Sequence, residues 1–305
     1  MWKNILFIDN MWETFSCLPW AWYLSNDIQL FAVCLLMIGL YTKFPRTALI
    51  TMGLMVLGSI TYNFVESYKE KYIVVAHISD IFFKFNPYFF KLYVKPWSRC
   101  PPYLIGLIMG IQYFEFFKYN NEHKKAVENG EEEDFVNNAR KPLLIKVKLV
   151  LEAKAWLRYI MYIGSLAIVL FLVFIPRTRQ LGHEWTQTEH SLYLSLSKLV
   201  FTLAVAILLL PATVGIKDIV TTVFDTRFFS IIAKISFWSY LIHYIVIMRN
   251  SYNLKQSEYF TFFEVFQQYL TDLGITLFLG FVFTMVVEAP FVKLERFIFK
   301  RGGGV

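Results

Sequence analysis

Seven long apolar runs constrain this chain more than any other feature. They lie at about 24–41, 47–65, 101–119, 157–176, 191–211, 228–248 and 268–289. Each falls within the roughly 17–25 residues that an α-helix needs to cross a bilayer. In hydrocarbon every backbone N–H and C=O must find a partner inside the protein, so such runs predict helices. The expectation is an all-α, polytopic integral membrane bundle of about seven transmembrane helices. Composition agrees: only 17% of residues are charged and 56% are hydrophobic, whereas a soluble domain carries about a quarter charged residues. Gln112 and Glu115 interrupt the third run, and Lys234 and His243 sit in the sixth.

The formal net charge of +7 does not gather into one patch, which excludes a nucleic-acid surface. The basic residues lie mainly in the connections. Seven spans put Lys43 and Arg46, the connection 120–156, and Lys293, Arg296, Lys300 and Arg301 on one face, which the positive-inside rule makes cytoplasmic. Connection 66–100 then faces the other side with Lys69, Lys71, Lys84, Lys91, Lys95 and Arg99. The resulting organisation is an extracytoplasmic lead segment 1–23, a membrane domain 24–299 and a tail 300–305. Connection 66–100 is rich in Phe and Tyr and is expected to lie along the membrane interface. Residues 143–156, where lysines alternate with Leu, Ile and Val, read as an interfacial amphipathic segment.

Residues 1–20 mix Asn4, Asp9, Asn10 and Glu13 with aromatics and lack the basic-then-apolar pattern of a cleavable signal. They read as an internal stretch of a longer protein. Plasma membrane, endoplasmic reticulum and mitochondrial inner membrane all fit. Cys17 and Cys100 would share a side and can be paired on paper; free thiols are the alternative. Three cysteines without tight spacing form no zinc pattern, and no metal site is expected.

Polar residues inside a membrane are expensive and mark sites by default. Asn26 and Asp27 stand at the threshold of the first run, where they either serve a site or cap the helix. In the fifth run Ser191, Ser195, Lys198 and Thr202 recur at steps of three or four, as do Ser236, Tyr240 and His243 in the sixth. Asp272, Thr276, Gly280, Thr284 and Glu288 follow at steps of four in the last. Such spacings put side chains on one helix face. That face must look into the bundle, because lipid offers no hydrogen bonds. Ser and Thr can equally bond back to their own helix. Gly106 and Gly110 are the spacing of closely packed helices. His243 is a candidate base, histidine being the side-chain type that exchanges a proton near neutral pH, or else a structural hydrogen-bonding residue; His77, His123, His183 and His190 sit at span edges or in loops without a partner motif. There is no phosphate-cradling glycine loop, no zinc-protease histidine pair and no nucleophile elbow.

Four stretches carry a resemblance. Residues Cys17-Leu18-Pro19-Trp20-Ala21-Trp22-Tyr23-Leu24-Ser25-Asn26-Asp27-Ile28-Gln29 and Lys95-Pro96-Trp97-Ser98-Arg99-Cys100-Pro101-Pro102-Tyr103-Leu104-Ile105-Gly106 are two of them. Trp238-Ser239-Tyr240-Leu241-Ile242-His243 and Val287-Glu288-Ala289-Pro290-Phe291, with Leu294-Glu295, are the others. In this order they resemble membrane acyltransferase family three, in its nose-resistant-to-fluoxetine-type branch, over the C-terminal half of such proteins. The resemblance implies transfer of an acyl group from acyl-CoA or a similar thioester donor to a hydroxyl acceptor, with no bound cofactor. The early membrane helix that holds the family's catalytic histidine precedes the part matched here, so no residue inherits that role.

Candidate catalytic residues are therefore Asp27, Arg99 and His243, and candidate cavity residues are Asn26, Tyr103, Lys198, Tyr240 and Glu288. Expected partners are membrane lipids and an upstream half or other membrane subunits, with no nucleic acid. Two other readings stay open. One is a non-catalytic accessory or lipid-binding subunit of a larger membrane complex. The other is a solute or lipid transporter using the Lys198 and Asp272–Glu288 seams.

Overall fold

The structure is a computed structural model and describes residues 2–12, 19–74, 87–139, 141–180, 184–252 and 261–300. No strand occurs among them. The chain divides into two compact units, Met1–Asp218 and Ile219–Val305. In the first unit the longer helices are α1 (Trp22–Lys43), α2 (Pro45–Lys69), α3 (Pro96–Asn129), α4 (Leu143–Ala153), α5 (Ala155–Phe174) and α6 (Gln187–Thr213). In the second they are α7 (Arg227–Tyr252), α8 (Phe262–Phe283) and α9 (Ala289–Lys300), with a π-turn over Thr284–Glu288 joining the last two.

Six helical stretches among the described residues are long and apolar enough to cross a membrane: α1, α2, α5, α6, α7 and the continuous rod from Phe262 to Ile298. The expected third span, 101–119, is the middle of α3, which is too polar to join them by composition alone. That helix is instead packed among α1, α2 and α6. Its Glu115 there accepts a hydrogen bond from the Tyr41 hydroxyl of α1. Helix α3 also begins before and ends after the apolar run, so it absorbs parts of both connections that the apolar pattern left as loops.

The distribution of polarity is that of a protein dissolved in lipid. Leu36 is 70% exposed, Leu54 63%, Ile163 69% and Phe278 66%, while Ser25, Asn26, Ser59, Asn63, Ser67, Ser98, Ser191 and Ser195 are buried. A water-soluble bundle would reverse this, since the hydrophobic effect would bury the large side chains first. Small polar residues inside let helices approach and hydrogen-bond to one another. The apolar centre of the first unit, Leu30, Ala48, Met52, Cys100, Leu104 and Ile111, sits where α1, α2 and α3 meet. Cys100 is a free thiol directed at Met55 O, 3.9 Å away; Cys17 lies outside the described residues.

Helix ends follow local rules. Thr186 and Glu189 form a reciprocal capping box at the start of α6, and Thr261 caps α8 by accepting from Glu264 N at 3.3 Å. At the ends of α3 and α6 the chain turns through Gly130 (φ 77) and Gly215 (φ 84), where a side chain would be strained. Glu131 N then reaches Ala126 O at 2.8 Å and Ile216 N reaches Pro211 O at 3.0 Å, closing the last turns. At the base of α5, Arg158 Nε lies 2.9 Å from Asp218 Oδ2, and Arg158 Nη1 donates to Leu151 O at 2.6 Å.

The glycine spacing at 106 and 110 does not mark a close contact: a Cβ at either position would meet nothing within 4 Å. The close contact lies in the second unit. A Cβ on Gly280 of α8 would stand 2.2 Å from Ser239 Oγ and 3.1 Å from Ser239 N of α7. The nearby backbone cannot swing aside as a long side chain could. Gly280→Ala is therefore expected to separate α7 from α8 and destabilise the protein by about 1–3 kcal/mol, the usual penalty for overpacking. Thermal unfolding in detergent, with Gly106→Ala as the neutral control, checks it.

The proline pair in α3 shapes the first unit. Residues 101 and 102 have no N–H to offer, so the carbonyls of Trp97 and Ser98 lose their usual partners four residues on. Both are recovered from neighbouring helices. Ser59 Oγ of α2 donates to Trp97 O at 2.6 Å. Asn63 Nδ2, one turn further along α2, lies 3.5 Å from Ser98 O, and Lys198 Nζ of α6 lies 3.4 Å from it. Ser59→Ala is expected to cost about 1–3 kcal/mol by orphaning a buried carbonyl. In a Pro101→Ala background, which restores an intrahelical donor to Trp97 O, the same change should cost measurably less. A double-mutant cycle of unfolding free energies reads the coupling.

Candidate functional site

Two polar assemblies grow from the start of α3. The first is a clasp. Asn10 and Asn26 are each 2% exposed, and Asn10 Nδ2 donates to Asn26 Oδ1 at 2.8 Å. Asn26 Nδ2 in turn donates to Val94 O at 2.9 Å. Gln29 Nε2, nearly one turn along α1, donates to Asn10 Oδ1 at 2.9 Å and to Phe7 O at 2.7 Å. Ser25 donates to the Asp9 carboxylate. Lys95 is buried, and its Nζ donates to Asn10 O at 2.9 Å and Met11 O at 3.0 Å. Asn26 is thus committed to protein partners, and it ties the N-terminal segment to both α1 and α3.

Lys95→Met removes charge-assisted bonds to two carbonyls, each worth about 1.5–3 kcal/mol. Amide exchange over residues 2–12 should quicken about tenfold or more in that variant, while α5 and α6 keep their protection. Unchanged exchange in this segment would show that the clasp is held without the lysine.

The second assembly is a cationic pocket. Arg99 donates from Nε to Tyr93 O at 3.0 Å, and its guanidinium carbon lies 4.2 Å from the Tyr93 ring centre and 5.2 Å from that of Trp22. This stacking holds the planar cation in one orientation. Tyr93 stacks in turn on Phe89 at 5.6 Å. Burial pushes the neighbouring Tyr88 phenol up to about 12 against the opposing pull of Arg99, so it remains neutral. Arg99 Nη2 is buried and has no hydrogen-bond partner. Lys198 reaches the same place from α6, donating to Ser98 Oγ at 2.9 Å. The two cations line a cavity of about 310 Å³ with Pro102, Tyr193, Ser197 and Thr202. Neither forms an ion pair with a carboxylate among the described residues.

Depth makes this pocket unusual. Ser59, the partner of Trp97, lies roughly ten residues inside the end of α2, and Lys198 about as far inside the start of α6. At 1.5 Å per residue that is about 15 Å, half a hydrocarbon core. Helix α3 therefore starts within the bundle. Such irregular backbone at membrane depth persists only when it is buried in protein or lines a cavity. Beside the pocket, between α5 and α6, runs an apolar groove of about 490 Å³ that shares Leu172, Tyr193 and Ser197 with it. Phe171, Ile175, Leu196 and Val200 line its length. Thr178, Trp185 and Glu189 close the end away from the cations, and the largely apolar wall between suits an amphipathic ligand with an anionic or carbonyl head.

The remaining candidates fall elsewhere. Asp27, a third of a helical turn from Asn26, is half-buried and outside both the clasp and the pocket. Tyr103 packs against the apolar centre of the first unit. His243, Tyr240 and Glu288 belong to the second unit. There His243 Nδ1 donates to Tyr240 O within the same helix, and Glu288 accepts from Trp238 Nε1 at 3.1 Å. Asp272 accepts from Asn250.

The hydroxyls of the fifth-run seam bond back to their own helix, Ser191 to Gln187 O at 2.9 Å and Thr202 to Lys198 O at 2.8 Å. His190 does have a partner: it is buried, and Nδ1 accepts from Val74 N at 3.2 Å. The apolar pattern could not show this, because the bond joins residues 116 apart in the chain. No group of His, Cys, Asp and Glu that could hold a metal occurs among the described residues.

Fold and pocket together define a helical integral membrane protein with a charged cavity inside its first bundle. The chain belongs to the acyltransferase-3 family: the model of that family, an acyltransferase domain, matches residues 3–291. It is 24% identical over 309 residues to Nose resistant to fluoxetine protein 6 of Caenorhabditis elegans, an alignment covering 98% of this chain and 34% of that protein. It is also 26% identical over 122 residues to Regulator of hypoxia-inducible factor 1 of Caenorhabditis elegans, covering 35% of this chain and 24% of that protein. The chain thus spans about a third of the length of the first relative, and the stretch matched to the second covers about a quarter of that protein. No solved structure matches it significantly.

Proposed function

We propose that this chain takes part in acyl transfer from a thioester donor to a hydroxyl acceptor, with the Arg99–Lys198 pocket receiving the thioester carbonyl and the α5–α6 groove receiving the acyl tail. The observation that carries this reading is the pair of cations, one with an unpartnered guanidinium nitrogen, at the head of an apolar groove. When the acceptor oxygen adds to the carbonyl carbon, negative charge collects on the carbonyl oxygen. Fixed donors at that point lower the barrier more than they bind the ground state. The tetrahedral species then collapses: the C–S bond breaks, the new C–O bond remains, and the thiolate takes up a proton. The acceptor's own proton must go to a base.

Arg99→Ala and Lys198→Met should each lower thiol release from acyl-CoA by about 100-fold, the usual loss of one oxyanion donor. Folded yield, judged by gel filtration in detergent, should fall far less. Asp27→Ala, at a residue that does not line the pocket, is the comparison. If it lost activity as fully as Arg99→Ala, the reacting centre would have to be moved to the start of α1. Tight retention of long-chain acyl lipid without any turnover would instead favour the accessory, lipid-binding reading, which the same groove supports.

A further inference from the structure

A further cavity, sharing no residue with the cationic pocket, lies at the α1–α2 turn. It holds about 960 Å³ and is built from four separate stretches of chain: Tyr41–Arg46, the second half of α3, the link before α4, and α4 itself. Arg46, Lys118, Lys141 and Lys146 line it, against Glu115 and Glu122. Both carboxylates are already engaged. Glu122 pairs with Lys118 at 3.8 Å, and Glu115 accepts from Tyr41. That leaves Arg46, Lys141 and Lys146 without an ion pair among the described residues. Gln112, Tyr119 and the Tyr41–Glu115 pair supply hydrogen-bonding groups between these cations.

We propose that this basin binds the phosphorylated polyol headgroup of an anionic membrane lipid. Phosphates would meet Arg46, Lys141 and Lys146, and ring hydroxyls would bond to Glu115 and Gln112. Two observations select a lipid over a soluble phosphate. The basin stands at the joined ends of two membrane-length helices, where a headgroup lies and where basic residues next to spans attract anionic lipid. Its surroundings are also apolar toward the outside: Phe44 is 60% exposed, Leu143 60% and Leu149 57%, the last two on the same short helix as Lys146 and Lys148. A helix with lysines and exposed leucines together is made for the boundary between headgroups and acyl chains. The acyl tails of the bound lipid would run along these side chains.

The test uses the full chain in detergent. Dioctanoyl phosphatidylinositol bisphosphate should raise its melting midpoint in a saturable manner, and dioctanoyl phosphatidylcholine should not. In the Lys141→Glu/Lys146→Glu variant, whose changes are both at exposed positions, the midpoint without lipid should hold. The apparent affinity should weaken about thirtyfold or more, as expected for the loss of two surface cations. Arg46→Gln gives an independent second variant with a smaller loss in the same direction. Equal stabilisation by phosphatidylcholine, or equal affinity in wild type and the charge-reversed variant, overturns the proposal. So does binding of adenosine 3′,5′-bisphosphate as tight as that of the lipid, which would make the basin a soluble-nucleotide site. Thiol release is governed by the other pocket, so loss of either property is read separately.

Discussion

Two backbone carbonyls, those of Trp97 and Ser98, organise the first unit. In water a carbonyl deprived of its helical partner would simply be hydrated. Inside a lipid-embedded bundle it must be met by protein, at a cost of several kcal/mol if it is not. Pro101 and Pro102 create the deficit, and Ser59, Asn63 and Lys198 fill it from two other helices. The same bonds fix how deep α3 starts, hold α2 against it, and bring a lysine from α6 beside Arg99. The cationic pocket follows from this repair.

The clasp and the aromatic shelf continue the same logic toward the N-terminal segment. Asn26 satisfies Val94 O, the carbonyl just before α3, while Lys95 satisfies two carbonyls of the lead segment. Each polar side chain closes a backbone group that a helix cannot close for itself. Arg99 is the exception. Its Nε is used, its face is stacked on Tyr93 and Trp22, and Nη2 is left over. A buried donor without an acceptor is costly.

The two pockets of the first unit differ in kind. The Arg99–Lys198 cavity is small and lined from α3, α5 and α6. The basin at the α1–α2 turn is larger, with Arg46, Lys141 and Lys146 at exposed positions. Some fourteen residues of helix, about 20 Å, separate the two along α2.

Several features were legible in the sequence by itself because they depend on local chemistry. The apolar runs determined the helical, membrane-embedded class, since hydrocarbon leaves the backbone no other way to pair. Four short stretches carried the family. Lys198 stood out as a cation within an apolar run. Partnership across the chain was not legible. Asn26 and Asp27 are neighbours in sequence, yet the first is locked between Asn10 and Val94 O and the second lies apart. Gly106 and Gly110 have the spacing of a close contact without making one, while Gly280 makes one without a partner glycine. Only tertiary structure decided that Arg99 and Lys198 share a cavity, because residues so far apart in the chain meet through carbonyls that two prolines left unpaired, and no periodicity records which distant donor will answer them.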